Sequence, residues 1–247
     1  MVDYIWMGSV TYFEELLDGL YDANPDEDLH LMLNTLGGDG EVAVRMARSA
    51  QDRCRQLTVI VPDRAKSAGT LLAMGAHSIL MGPTSDLGPV DPQLNISQET
   101  LNWVAAKDLI AAVDGALQQV QNQPNAVPLM ASLLSDVTYL MYQQAQSAIQ
   151  RADDLMKEAL ASNPDRLPEQ IEELTEKLKK PFIADPKVHG AMFGAKEAIE
   201  AGLPVQQPKP SETQWQMIWR LWTKYFRLIK NGCSIYESRT ASQVLPF

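Results

Sequence analysis

A serine set between the end of an apolar strand and the start of an apolar helix is placed for nucleophilic chemistry, and Ser67 is such a serine. Residues Val59 to Thr70 read Val-Ile-Val-Pro-Asp-Arg-Ala-Lys-Ser-Ala-Gly-Thr. A β-branched run closed by Pro62 gives way to a turn of small residues and then to an apolar helical run from Ala68 to Ala76. Acyl transfer by serine needs a hydroxyl at a fixed position, a base to take its proton, and N–H donors aimed at the developing oxyanion. Ser67 offers the hydroxyl, close to the unpaired N–H groups of a helix start. The Ala68 N–H adjoins it, and the Gly37-Gly38 turn after a neighbouring strand can present another donor with no side chain in the way. By residue type alone these features describe a tightly packed strand–helix junction and a plain turn equally well. Gly37-Gly38-Asp39-Gly40 also suggests a phosphate loop, but it has neither the Gly-x-Gly-x-x-Gly spacing nor a Gly-Lys-Ser/Thr ending, which argues against a nucleotide cradle.

The elements that must position these residues alternate strand and helix. Val2 to Met7 reads as a strand and Val10 to Tyr21 as a helix with Phe13, Leu16, Leu17 and Leu20 at helical spacing. Leu29 to Leu33, Leu57 to Val61 and Ser78 to Met81 read as strands, with helices at Glu41 to Arg53 and Ala68 to Ala76 between them. Such βαβ units imply a mostly parallel sheet, with sites at the carboxyl ends of its strands. From Ser97, read as an N-cap, the pattern changes to long helices: Gln98 to Gln121, Leu129 to Ala161, and a charged Glu169 to Lys179 that reads as a solvated face or an arm. Phe182 to Gly190 reads as a loop, Phe193 to Ala201 as a helix closed by Gly202, and Leu203-Pro204-Val205 as a return to the sheet. The expected organisation is a domain over residues 1–205, with residues 98–180 a mostly helical excursion, and a linker plus C-terminal amphipathic helix over 206–247. That helix, Trp215 to Lys230, carries Trp215, Trp219, Trp222 and Phe226 on one face and Arg220, Lys224 and Arg227 on another; it reads as packing on this domain or a neighbouring subunit, with a membrane surface as the alternative.

Composition narrows the function classes. With 247 residues and 45% hydrophobic content the chain can bury a sizeable core. A formal net charge of −10 argues against nucleic-acid binding, which needs clustered Lys and Arg. Cys54 and Cys233 are the only cysteines and form no Cys-x-x-Cys pair, so neither a disulfide framework nor a zinc site is expected, and a reducing cytoplasm fits. No secretory signal is read at the N-terminus, and no stretch approaches the ~20 apolar residues that cross a bilayer.

Three ordered motifs carry a resemblance. Asn34-Thr35-Leu36-Gly37-Gly38, then Val61-Pro62 with Ala65-Lys66-Ser67-Ala68-Gly69-Thr70, then Met81-Gly82 with Leu87-Gly88-Pro89-Val90-Asp91-Pro92-Gln93 resemble the serine dehydrogenase proteinase family. That family is related to signal peptide peptidase A and the Clp protease proteolytic subunit, within the ClpP/crotonase fold. The likeness covers Leu29 to Gln93 and resumes over Phe193 to Val205.

The resemblance implies an α/β ClpP/crotonase-like core with helices outside, assembling as a homo-oligomer, and a serine peptidase acting on polypeptides through an acyl-enzyme, with no cofactor or metal. It gives Ser67 the nucleophile's position and Gly37, Gly38 and Ala68 the oxyanion hole. Val90-Asp91-Pro92-Gln93 lacks the histidine of the Clp-type subunit, so the lysine of the signal peptide peptidase relatives becomes the model. Lys107, in the apolar stretch Trp103-Val-Ala-Ala-Lys107, is the expected base, useful only if desolvation lowers its pKa from about 10.4. His189 is the second candidate base. Asp91 either orients a neighbour or forms the turn before Pro92, Lys66 either holds substrate or pairs with an acid, and His30 and His77 read as packing residues. The competing functions are a crotonase-like acyl-CoA lyase or isomerase and an inactive oligomeric scaffold.

Overall fold

The computed structural model describes residues 1, 4–18, 27–96, 103–186, 188–229 and 233–246. Its centre is a parallel four-stranded sheet in the order β1-β2-β4-β8, with β1 Leu29–Met32, β2 Leu57–Val61, β4 Ser78–Met81 and β8 Val205–Gln206. In β2 every residue but Thr58 is buried, the near-continuous apolar pattern of a strand covered on both faces. The expected βαβ order and the return of the chain near Val205 are therefore both present. Helix α1 (Ser9–Asp18) precedes β1, α2 (Gly40–Gln51) joins β1 to β2, and α3 (Ala68–Met74) joins β2 to β4. Asp39 caps α2, its carboxylate accepting from Glu41 N at 2.9 Å and Val42 N at 3.3 Å. Two short strands, β3 (Arg64–Ala65) and β5 (Asp86–Leu87), pair in parallel just beyond the carboxyl edge of the sheet.

Several boundaries depart from the pattern read in the sequence. Ile5, in the expected first strand, makes only an isolated parallel bridge to Gly38. The expected helix from Gln98 begins at Ala106, because β7 (Trp103–Ala105) pairs antiparallel with β6 (Gln93–Asn95); the expected Ser97 cap lies outside the described residues. The helix read as Leu129 to Ala161 is two: α4 (Ala106–Asn122) is followed by α5 (Val127–Leu133) and α6 (Tyr139–Ala161), the last started by Thr138, whose hydroxyl accepts from Met141 N at 3.2 Å. Helix α7 (Pro168–Lys179) is not a loose arm, since it packs on α6 with Thr175 and Leu178 buried. Phe182 and Ile183, expected in a loop, are buried in one turn of π-helix at Lys180–Ala184. His30 is exposed rather than packed.

Helix α6 lies across α2 and α3 and forms the outer wall above Ser67. Charge fastens it: Arg151 binds Glu41 at 2.5 Å and Glu158 at 2.7 Å, and Arg48 binds the other oxygen of Glu158 at 2.7 Å. The two guanidinium groups hold the Glu158 carboxyl below its usual range.

After α8 (Ala195–Glu200), the C-terminal helix α9 (Thr213–Ile229) turns Trp215 and Trp222 inward, 5% and 3% exposed, with Trp215 lying against Gly82 at the end of β4. Of the four aromatics expected to meet a membrane or partner, only Trp219 and Phe226 are exposed, at 38% and 39%. The last element is a hairpin absent from the sequence reading, β9 (Cys233–Glu237) with β10 (Ser242–Pro246). Tyr236 from β9 is fully buried in the main core, packs tilted against the Tyr12 ring with centroids 5.3 Å apart and donates to Ser9 Oγ at 3.0 Å, so the end of the described chain is tied to α1. No helix among the described residues is long and apolar enough to cross a membrane.

Candidate active site

The carboxyl ends of β1, β2 and β4 each release a turn into the same edge of the sheet, and these turns build the site. From β2 the chain passes through β3 to Ser67, whose backbone sits at φ 48° and ψ −113°. Among the described residues Ser67 is the only non-glycine with positive φ. An L side chain there costs about 1–3 kcal/mol, so the surrounding contacts must impose it. They do so tightly: Lys66 N donates to Thr35 O at 3.1 Å, Gly69 N to Lys66 O at 2.7 Å, and Thr70 Oγ1 to both Ala65 O and Gly88 O, at 2.8 and 2.9 Å.

From β1 comes the glycine turn, with Gly37 at φ +108° and Gly38 at φ +136°. A Cβ on Gly37 would stand 2.7 Å from Ser67 Cβ, which fixes how closely the two turns meet. The Gly37 N–H is already committed, donating to Thr35 Oγ1 at 3.0 Å, and its carbonyl accepts from Ile5 N at 2.7 Å. The N–H groups of Gly38 and Ala68 have no acceptor among the described residues. Of the three residues expected to form an oxyanion hole, Gly38 and Ala68 thus hold available donors and line the Ser67 pocket, while Gly37 shapes the turn.

From β4 comes Asp91, only 1% exposed. One carboxylate oxygen, Oδ1, lies 2.8 Å from His189 Nδ1; the other accepts from Gln93 Nε2 at 3.1 Å and faces Lys107 Nζ at 3.8 Å. Ser67, Ala68, Gly38, Asp91 and His189 line one pocket of about 680 Å³, walled by apolar groups of which Leu36, Leu71, Val90, Trp103 and Leu155 are the largest. Lys107 is not among the residues that line it. Its ammonium, 18% exposed, donates to Ile183 O at 3.1 Å and to Pro186 O. Two backbone carbonyls thus hold the amine outside the Ser67 pocket. Lys66 turns away from the pocket and pairs with Asp86.

A second pocket, of about 290 Å³, lies between α1 and the hairpin and contains Cys54. Burial pushes that thiol up to about 11, which leaves it protonated and a poor nucleophile. Among the described residues no cluster of His, Cys, Asp or Glu could hold a metal ion.

The family model for ClpP-like SDH-type serine proteinases matches residues 6–217, spanning the sheet, the Ser67 turn and His189. The chain belongs to this family of serine proteinases. An uncharacterized protein of Methanocaldococcus jannaschii is 28% identical over 199 residues, 81% of this chain and 60% of its own length. A second from the same organism is 33% identical over 81 residues, 33% of this chain and 28% of its own. The chain therefore spans less than two thirds of either relative. Two solved structures of the 1510-N membrane-bound stomatin-specific protease share the fold across 100% of this chain, each with a TM-score of 0.51. One, a serine-to-alanine mutant, is 17% identical with 89% of its chain covered; the other, a lysine-to-alanine mutant in complex with a substrate peptide, is 16% identical with 84% covered. The expected ClpP-like α/β fold is the one observed, and the family is the one the three sequence motifs resemble.

The structure brings Ser67, Gly38, Ala68 and His189 to one pocket, with Asp91 beside His189, and leaves Lys107, ranked above His189 in the sequence reading, off its lining. Asp91 and His189 are 98 residues apart, and no local pattern announces their pairing. The one sequence signal was the ionisable Asp91 itself, set in the otherwise uncharged motif Leu87 to Gln93.

Proposed function

We propose that this chain is a serine peptidase working through an acyl-enzyme on Ser67, with His189 as general base and Asp91 holding the imidazole. The observation that carries this reading is the 2.8 Å contact between His189 Nδ1 and the buried Asp91 carboxylate, on the wall of the pocket that Ser67 lines. With Nδ1–H committed to Asp91, Nε2 is the free basic nitrogen. It takes the hydroxyl proton as Ser67 Oγ attacks the peptide carbonyl, and the oxyanion accepts from the Gly38 and Ala68 N–H groups. The imidazolium returns the proton to the departing amine; water, activated by the same nitrogen, then releases the acyl group. The apolar walls suit a polypeptide with an apolar side chain next to the scissile bond.

Lys107 as base is the second reading, favoured by its closeness to Asp91 and by the lysine-to-alanine variant used to capture a peptide in the fold neighbour. A crotonase-like reaction is less supported, since among the described residues the one carboxylate lining the pocket with Ser67, that of Asp91, is engaged by His189.

The test is labelling with a fluorophosphonate probe, comparing the parent chain with Ser67→Ala, His189→Ala and Lys107→Met. Labelling should vanish in the first variant and slow by about 100-fold or more in the second. Labelling that survives loss of Ser67 ends the peptidase reading. Labelling that survives loss of His189 but not of Lys107 transfers the base role to the lysine.

A further inference from the structure

A lysine directly before the candidate nucleophile, largely out of water, is a charged group near the site that the chemistry above does not use. Lys66 and Asp86 are 14% and 16% exposed in their side chains and form an ion pair. Burying such a pair is costly unless hydrogen bonds satisfy what the pair leaves over. Here they do. Besides Asp86 Oδ2, the Lys66 ammonium reaches Leu87 O at 3.3 Å and Ala191 O at 3.1 Å, which engages all three of its protons. The other Asp86 oxygen, Oδ1, accepts from Phe193 N at 3.0 Å. Two residues of the segment that carries His189 are thereby bound to one ion pair, Ala191 by the cation and Phe193 by the anion.

The main chain of Lys66 is itself fixed against the Ser67 turn, by Thr35 O and Gly69 N. Its side chain lies over Gly88, where a Cβ would stand 2.5 Å from Lys66 Cδ. At the other end of the same segment, Lys107 holds Ile183 O and Pro186 O. Ile183 and Pro186 before His189, and Ala191 after it, are thus each held by an ammonium group paired with an aspartate of the 86–91 stretch.

We propose that Lys66 and Asp86 are a positioning pair that fastens the His189 segment to the turn carrying Ser67, setting the distance between base and nucleophile. The pair touches no reacting atom. The proposal rests on the roles given above to Ser67 and His189. Without it, the segment keeps its backbone bridge between Leu87 and Phe193 and its Lys107 anchor, but loses the tie at Ala191.

The experiment compares Lys66→Met, Asp86→Asn and the double variant, which leaves no unpaired charge and so folds even if the singles do not. Three readouts are taken: the fluorophosphonate labelling rate, amide hydrogen exchange, and the downfield proton resonance of the imidazole N–H shared with Asp91. Labelling should slow about 10- to 100-fold, as expected when a catalytic group is displaced by a fraction of an ångström to 1 Å. The double variant should be no slower than the worse single. Exchange at Ala191 and Phe193 should quicken at least about tenfold while Ile79 and Leu80 in the sheet stay protected. The shared imidazole proton should broaden or disappear, which a merely stabilising ion pair would not cause in a folded variant. Unchanged exchange at Ala191 and Phe193 together with an unchanged imidazole proton, in folded variants, overturns the proposal whatever the labelling does. Absence of labelling in the parent chain would instead end the peptidase reading, and the exchange and proton readouts still decide the brace.

Discussion

Gly38→Ala is expected to slow fluorophosphonate labelling by at least about 100-fold and to destabilise the chain by about 3 kcal/mol or more. Two independent restraints meet at this glycine. Its φ of +136° is strained for any L side chain, and an added Cβ would stand 1.9 Å from Ile5 O, a backbone atom that cannot swing aside. Ile5 is itself held on both sides of the turn, its N–H by Gly37 O at 2.7 Å and its carbonyl by Asp39 N at 2.8 Å. The turn must therefore rotate, and rotation carries the Gly38 N–H away from the oxyanion position while pushing Gly37 onto Ser67. Thermal unfolding and labelling rate measured on the same preparation check both effects. A variant that unfolds early but labels at the parent rate would show that Gly38 shapes the turn without donating to the oxyanion.

Arg166→Ala is expected to cost about 3–5 kcal/mol of stability, large for one side chain outside the apolar core. The Arg166 guanidinium closes two helix ends at once. One nitrogen donates to Met74 O at 2.6 Å and Leu160 O at 2.9 Å, and the other to Ala76 O at 2.9 Å. These are carbonyls at the ends of α3 and α6, the helix that starts at Ser67 and the helix that roofs its pocket. Burial pulls the guanidinium down to about 10, still fully charged at neutral pH, so the bonds to the carbonyls are charge-assisted. Alanine would leave Met74 O without its donor, and would leave Leu160 O and Ala76 O with only the longer bonds from Asn163, at 3.4 and 3.3 Å. Denaturant unfolding measures the loss. A shift under about 1 kcal/mol would mean that water replaces the guanidinium there, and the linkage between the two helices would not depend on Arg166.

Where local geometry depends on neighbours in sequence, the sequence was sufficient. The strand, Pro62 and the small residues after Ser67 specify a serine between strand and helix, and Gly37-Gly38 announces a turn that no other residue pair could follow. The pairing of His189 with Asp91 could not be read this way, because a histidine 98 residues from that aspartate is brought there by Phe182 and Ile183 sinking into the core and by the Leu87–Phe193 bridge. Lys107 drew attention through its apolar neighbours, but those neighbours pack around α4 while its amine emerges beside carbonyls. The break between α5 and α6 had a signal in Thr138, a capping residue inside a helical pattern, and longer apolar periodicity outweighed it. The C-terminal hairpin lacked one: Cys233 to Glu237 alternates weakly, and its pairing is secured by Tyr236 entering the main core beside Tyr12 and Ser9 of α1.

The backbone of Ser67 sets stability against activity. Glycine tolerates the φ of 48° that serine does not, so Ser67→Gly should be the more stable protein by about 1 kcal/mol and unfold some 2–4 °C higher, while losing all labelling. Equal or lower melting would show that the turn is not strained as its dihedrals imply. If the gain is found, any search for hardier versions of this chain that scores melting temperature alone will drift towards molecules that have discarded the hydroxyl, and selection at this position must be read through turnover.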